Sequence, residues 1–201
     1  MISYLKSNAL NSLRGRWAEP IIATLLYFCV ALVISAMSNT LPVLAFIVNI
    51  FIVLPLSFGF YLYFMRFNED RSRIENLFYY FQNGSDLYLK TIGLSLLIGL
   101  FTFLWSLLFI IPGIIMKISY SMSYYIMIEN PEIEIREAIN MSKKMMHGHK
   151  LKYFLLNLSF IGWSFLALFT FGIGYLWLIP YMQLTQIKFY EEVKIGYIPY
   201  Y

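Results

Sequence analysis

Residues 20–37 read PIIATLLYFCVALVISAM, and this stretch decides the class of fold. Eighteen residues pass without a charge, close to the ~20 that carry an α-helix across ~30 Å of hydrocarbon. A secretory signal has an apolar core of only ~7 to 15 residues and a small-residue cleavage site. The run here is longer and follows nineteen residues that carry Lys6, Arg14, Arg16 and Glu19, so it is expected to be an uncleaved membrane anchor.

The composition agrees. Of 201 residues 60% are hydrophobic, 19% aromatic and 13% charged, against a charged share of roughly 25% in soluble domains, and mean hydropathy is +0.66. A water-soluble globule of this size cannot hide that much apolar surface. Disorder and collagen are excluded, and the single cysteine, Cys29, rules out an intrachain disulfide framework. Within its apolar run Cys29 is expected to be a small buried hydrophobe.

Working outward, Leu41 to Met65 is long enough to span with tilt, and Pro55 inside it removes a backbone donor and should kink it. A third run, 91–111, ends at Pro112-Gly113, and a short fourth, 114–128, is flanked by tyrosines suited to the interface. A fifth, 153–171, reaches Gly172-Ile173-Gly174, and a sixth, 175–187, contains Pro180. The expected fold is an all-α, polytopic membrane helical bundle: one integral-membrane domain over residues 1–201, with about six transmembrane helices in three hairpins at ~20 residues per crossing.

Between the hairpins apolar residues recur at helical spacing among charges. In 72–84, Ile74, Leu77, Phe78 and Phe81 follow the i, i+3, i+4, i+7 rule behind a capping box, Ser72 to Glu75, and before Asn83-Gly84. In 131–148 the acids Glu132, Glu134 and Glu137 come early, Lys143 and Lys144 late, and Gly148 last, the order the helix dipole favours. The apolar face there is Ile135, Ala138, Ile139, Met145 and Met146. The stretch 1–15 offers Ile2, Leu5, Ala9 and Leu13 before Gly15. All three are expected to lie in the membrane interface or to cap the bundle. Each precedes a hairpin, and Pro55, Pro112 and Pro180 share apolar contexts. That pattern is open to two readings, a threefold repeat or convergence on hairpin rules.

Fourteen of the fifteen Lys and Arg residues, and all eleven acids, fall in these segments, their flanks or the C-terminal end, with none in the three tight turns. The positive-inside rule then places both termini and both connectors in the cytoplasm. The formal net charge of +4 draws that face toward anionic headgroups. Basic residues mixed with acids form no stripe, so nucleic acid is not an expected partner.

Lys117 is the one charge inside an expected span, on the order of 7 Å below the Pro112-Gly113 turn at 1.5 Å per residue. Either it snorkels to the headgroups or it is functional, with Ser121 and Tyr124 on the same face. Asn49, Asn157, Gln183 and Gln186 are the other strong polar groups in the spans. They are read as interhelical hydrogen-bonding partners or as the lining of a central cavity with Lys117. Ser95, Gly99, Thr102 and Ser106 form a small-residue stripe expected to be a packing seam. His149, Lys150 and Lys152, where the second connector meets the fifth span, are candidate lipid-headgroup contacts. His147 and His149 have no cysteine or third histidine to complete a zinc set, so no metal or other cofactor is expected. Every carboxylate lies in a charged segment expected to be cytoplasmic, and no Gly-rich phosphate loop is present, so no catalytic residues are assigned.

From Ser119-Tyr120-Ser121-Met122 onward the residues Asn130-Pro131, Glu137-Ala138-Ile139, Gly148-His149-Lys150, Ser159-Phe160-Ile161-Gly162-Trp163, Gly172-Ile173-Gly174 and Phe189-Tyr190-Glu191-Glu192 resemble a bacterial integral-membrane family, the domain of unknown function family 975. The first half resembles it in its span pattern and in Gly15-Arg16-Trp17. The resemblance implies a multi-span protein of the bacterial plasma membrane and supplies no catalytic residues. A looser likeness of layout links it to the membrane domain attached to some glycerophosphodiester phosphodiesterases. The functional expectation is a non-enzymatic membrane module that contacts the lipid bilayer or a membrane-protein partner. The alternatives are a small-solute or ion transporter built around Lys117 and an interfacial lipid enzyme. A cavity lined by the polar residues separates transport from the module.

Overall fold

The computed structural model describes residues 2–197. Met1 of the first amphipathic segment and the last four residues of the expected domain lie outside them. Among the described residues every regular element is helical and there is no strand.

Helix α1 (Ile2–Leu13) buries Leu5, Ala9 and Leu13 on one face and ends before Gly15, whose φ of +79° suits a glycine. That face is covered by protein, because α1 lies along the C-terminal helix of the chain. Helix α2 (Ala18–Ser38) follows with Pro20 in its first turn, where a missing N–H costs little. Cys29 is exposed on α2 rather than buried, because α2 turns most of its surface outward.

Helices α3 (Pro42–Val48) and α4 (Leu54–Asn68) form one long apolar rod, joined by a π turn at Asn49–Val53. The interruption expected at Pro55 takes this form. Proline offers no amide hydrogen to the carbonyl four residues back, that of Phe51, and the Tyr88 hydroxyl donates to it instead at 2.7 Å.

The first connector departs from expectation. Ile74–Phe78 is a 3-10 helix followed by one α turn, α5 (Tyr79–Gln82), and not a continuous amphipathic helix over 72–84. It runs antiparallel along α4. Arg66 Nη1 donates to Asn76 Oδ1 at 2.6 Å, and the Phe58 and Tyr80 rings meet at 5.6 Å. At Gly59 a methyl group would stand 1.9 Å from the Leu77 carbonyl oxygen, so the two backbones touch there. Burial against α4 selects Asn76, Leu77 and Tyr80, leaving Ile74, Phe78 and Phe81 exposed. Ser72 Oγ donates to Glu19 at 3.3 Å and makes no capping box.

Helix α6 (Ser85–Leu108) turns back at Phe109, which is extended, into α7 (Ile110–Tyr120). The reversal precedes Pro112-Gly113, which sit in the first turns of α7. A Cβ at Gly113 would lie 2.2 Å from Ser106 Oγ, so α6 and α7 are in close contact there. The expected span 114–128 is broken at Ser121-Met122 between α7 and the short α8 (Ser123–Glu129). Helix α9 (Ile135–Met145) seals the break. Its Ser142 Oγ, fully buried, donates to the Ser119 carbonyl at 2.7 Å and accepts from the Met122 amide at 3.2 Å. The apolar face of α9, Ala138, Ile139 and Met145 with Met146 beyond it, is likewise turned into the protein.

Helices α10 (Lys150–Leu158) and α11 (Ile161–Phe169) run on as one apolar length. After the turn at Phe171-Gly172, α12 (Tyr175–Tyr197) passes beyond the expected sixth span into a charged half with Lys188, Glu191, Glu192 and Lys194. Among the described residues four helices are long and apolar enough to cross a membrane: Ala18–Ser38, Pro42–Asn68, Ser85–Leu107 and Lys150–Phe169. Only 17% to 33% of each apolar window is buried inside the protein, so the rest forms an apolar exterior suited to lipid and not to water. Charged ends are tied together at the foot of α12. Glu129 accepts from the Tyr190 hydroxyl at 2.8 Å and from Lys194 Nζ at 2.6 Å, and Asn68 donates to Glu191 at 2.6 Å. Burial, and then the Glu129 carboxylate, push the Tyr190 phenol above its ordinary pKa, which keeps it a donor.

Candidate functional site: a hydroxyl-rich cavity at Lys117

The helical spacing of small residues on α6 puts Ser95, Gly99, Thr102 and Ser106 on one face. The expectation of a packing seam holds at Ser106, against Gly113. The stripe as a whole instead forms one wall of a cavity of about 540 Å³, a size typical of ligand sites. The opposite wall comes from α7 and α8, where Lys117, Ser121 and Tyr124 share a face across the break between the two helices. Tyr61 of α4, Tyr153 of α10 and Gln186 of α12 close the remaining sides.

Among the described residues that line this cavity Lys117 alone is charged, and no carboxylate or histidine faces it. Its ammonium makes no hydrogen bond or ion pair with another described residue, and the side chain is exposed. Thr102 Oγ1 is buried without a partner. At the other end the polar groups satisfy one another. The Tyr125 hydroxyl donates to Gln186 Oε1 at 3.4 Å, Gln186 Nε2 to Asn157 Oδ1 at 3.2 Å, and Asn157 Nδ2 to the Tyr153 carbonyl at 2.8 Å. Tyrosine rings form the wall between the ends, with Tyr61 and Tyr124 centroids 5.5 Å apart.

The five polar residues expected in the spans therefore do not gather as one cluster. Lys117 and Gln186 share the cavity, and Asn157 joins through Gln186. Asn49, on the π turn, lines a separate groove of about 440 Å³ against α2, beside Ser35 and Ser38. Gln183 lies outside the cavity wall, its Oε1 buried without a partner. Sequence reading missed the tyrosines Tyr61, Tyr120, Tyr125 and Tyr153. In a chain with 17 tyrosines only Tyr124, by its spacing from Lys117, carried a signal.

The candidate headgroup contacts sit at the start of α10. Lys150 is half-buried at one end of an apolar groove of about 440 Å³ formed by α7 isoleucines with Leu151 and Phe154, and Lys152 is exposed. His149 precedes α10, its Nδ1 buried without a partner. Among the described residues no three His, Cys, Asp or Glu side chains come together as a metal site needs. With one cation, many hydroxyls and no proton acceptor beyond neutral oxygens, the cavity can hold and orient a ligand.

The fold defines an all-helical protein with several membrane-length apolar helices gathered about a polar cavity. The family model described as Protein of unknown function (DUF975) matches residues 2–116 and 107–195; the chain belongs to that family. The match takes in the first half, which the sequence ties to the family more thinly than it does the last ninety residues. No curated protein and no solved structure matches the chain.

Proposed function

We propose that this is a non-enzymatic, multi-pass protein of the bacterial plasma membrane that takes a small solute into the Lys117 cavity, the step from which transport proceeds. One observation carries the reading: a roomy cavity whose ammonium and one buried hydroxyl have no partner among the described residues, set among apolar helices where polar groups are costly. The module reading, in which amphipathic helices bind lipid or a partner, loses ground because the apolar faces of α1 and α9 are covered by the chain itself. Lipid contact at Lys150 and Lys152 is kept as an anchoring role, supported by the apolar groove that ends at Lys150. In the proposed topology α7–α8 and the first half of α12 supply two further crossings, giving six spans in three hairpins, with both termini in the cytoplasm as the charge distribution favours.

The test uses the lone cysteine. In a Cys29→Ser background, Lys117→Cys and Thr102→Cys are expected to react with a membrane-impermeant thiol reagent, and Leu32→Cys, on the outer face of α2, is expected to resist it. Lys117→Cys and Thr102→Cys reacting no faster than Leu32→Cys would mean a dry bundle and return the module reading to first place. Reporter fusions at Asn39 and after Tyr201 check the orientation.

A further inference from the structure

The cavity's charge is one-sided, and the register of α6 and α7 fixes where it sits. Gly113 abuts Ser106, and the Phe101 and Tyr120 rings meet at 6.2 Å. Lys117, between Gly113 and Tyr120 on the antiparallel partner, is therefore level with Thr102. That end offers the three N–H donors of an ammonium and the Thr102 hydroxyl, which is buried without a partner among the described residues. The Tyr125–Gln186–Asn157 end is neutral and closed on itself. Between them lie the Tyr61 and Tyr124 rings, tilted 46° to each other. Phe103 lines the cavity and is also 60% exposed on the apolar exterior, so the cationic end borders the surface that meets lipid.

An ammonium with no acid among the described lining residues opposite it repels cations and gives a neutral solute only an ion–dipole hydrogen bond, whereas an oxyanion gains a hydrogen bond with charge on both partners. Resting on the reading of the cavity as a solute site, we propose that its ligand is an organic oxyanion. The phosphate or carboxylate sits between Lys117 and Thr102, and an aromatic or apolar body lies along Tyr61 and Tyr124. Two sources carry this chemistry, an anionic phospholipid entering past Phe103 and a water-borne phosphomonoester.

The experiment titrates the full-length protein, held in nanodiscs of uncharged phosphatidylcholine, with phenyl phosphate, benzylamine and phenol by calorimetry. Phenyl phosphate is expected to bind and the matched cation and neutral compound are not. Lys117→Gln is expected to raise Kd at least tenfold and Lys117→Arg to keep it within about threefold, the second showing that a folded cavity with its charge retained still binds. Phosphatidylglycerol added to the nanodiscs competes with phenyl phosphate if the source is lipid and leaves its Kd unchanged if the source is water-borne; both results support the oxyanion class. Absent binding of phenyl phosphate, equal binding of benzylamine or phenol, or an unchanged Kd in Lys117→Gln overturns it. If that happens while the Lys117→Cys variant still reacts with the thiol reagent, the class of ligand falls and the water-filled cavity stands; an unreactive thiol removes both.

Discussion

Replacing Ser142 by alanine removes the hydroxyl that holds two backbone groups at once, the Ser119 carbonyl and the Met122 amide. Ser119 is buried, Met122 and Ser142 are fully so, so water does not reach in to replace it. A buried polar group left without a partner costs about 1 to 3 kcal/mol. Two such groups would cost roughly 2 to 6 kcal/mol before relaxation, and partial closing of the α7–α8 break toward a continuous helix returns some of it, so about 2 to 3 kcal/mol is expected. Ser123→Ala is the matched control. Ser123 sits one residue past the break, is equally buried, and has a hydroxyl with no partner, so its removal is expected to be neutral or slightly stabilising. Equilibrium unfolding of both variants in one mild detergent, followed by tryptophan fluorescence, gives the comparison. Equal loss in the two would show that the site responds to packing and not to the hydrogen bonds, and would refute the account of how α9 seals the break.

Gly59→Ala sets a Cβ 1.9 Å from a backbone oxygen of the connector, and because backbone cannot rotate away the expected loss is about 3 kcal/mol or more, read as a lower melting temperature in detergent. Lys117→Met is expected to leave stability nearly unchanged, since the exposed ammonium has no partner among the described residues to strand; a drop above about 1 kcal/mol would show that the charge is structural. Neutralising Lys150 and Lys152 together is expected to weaken retention of anionic over uncharged lipid by about 1 kcal/mol per charge, checked by mass spectrometry of co-purified lipid, and equal loss of both lipids would argue against electrostatics.

Where local rules govern, the sequence was readable. Helix α1 buries the Leu5, Ala9, Leu13 stripe and stops before Gly15, and α9 has its acid and base at the ends the dipole favours and stops before Gly148. The one-sided Lys117, Ser121, Tyr124 face followed from helical spacing and became a cavity wall. The connector 72–84 was misread because its shape is set by a backbone contact, Leu77 on Gly59, that no periodicity encodes. The role of Ser142 was invisible for the same reason, as its partners lie some twenty residues away. Among the described residues four membrane-length helices stand; the shorter runs 114–128 and 175–187 differ from these, the first being interrupted at Ser121-Met122 and bridged there by Ser142, the second continuing past Ile187 as a charged helix.

The pairing of α1 with α12 joins the first described helix to the last described one. A ribosome adding ~5 to 20 residues each second needs on the order of 10 to 30 s to get from the end of α1 to the start of α12. Through that interval the face formed by Leu5, Ala9 and Leu13 lacks α12, the helix it lies along. The surface of the bilayer is the refuge open to such a helix, since an apolar stripe beside Lys6, Arg14 and Arg16 suits the boundary of headgroup and acyl chain. An amphipathic stripe of this kind suits the membrane surface for as long as α12 is unmade, and docking on α12 then covers it with protein.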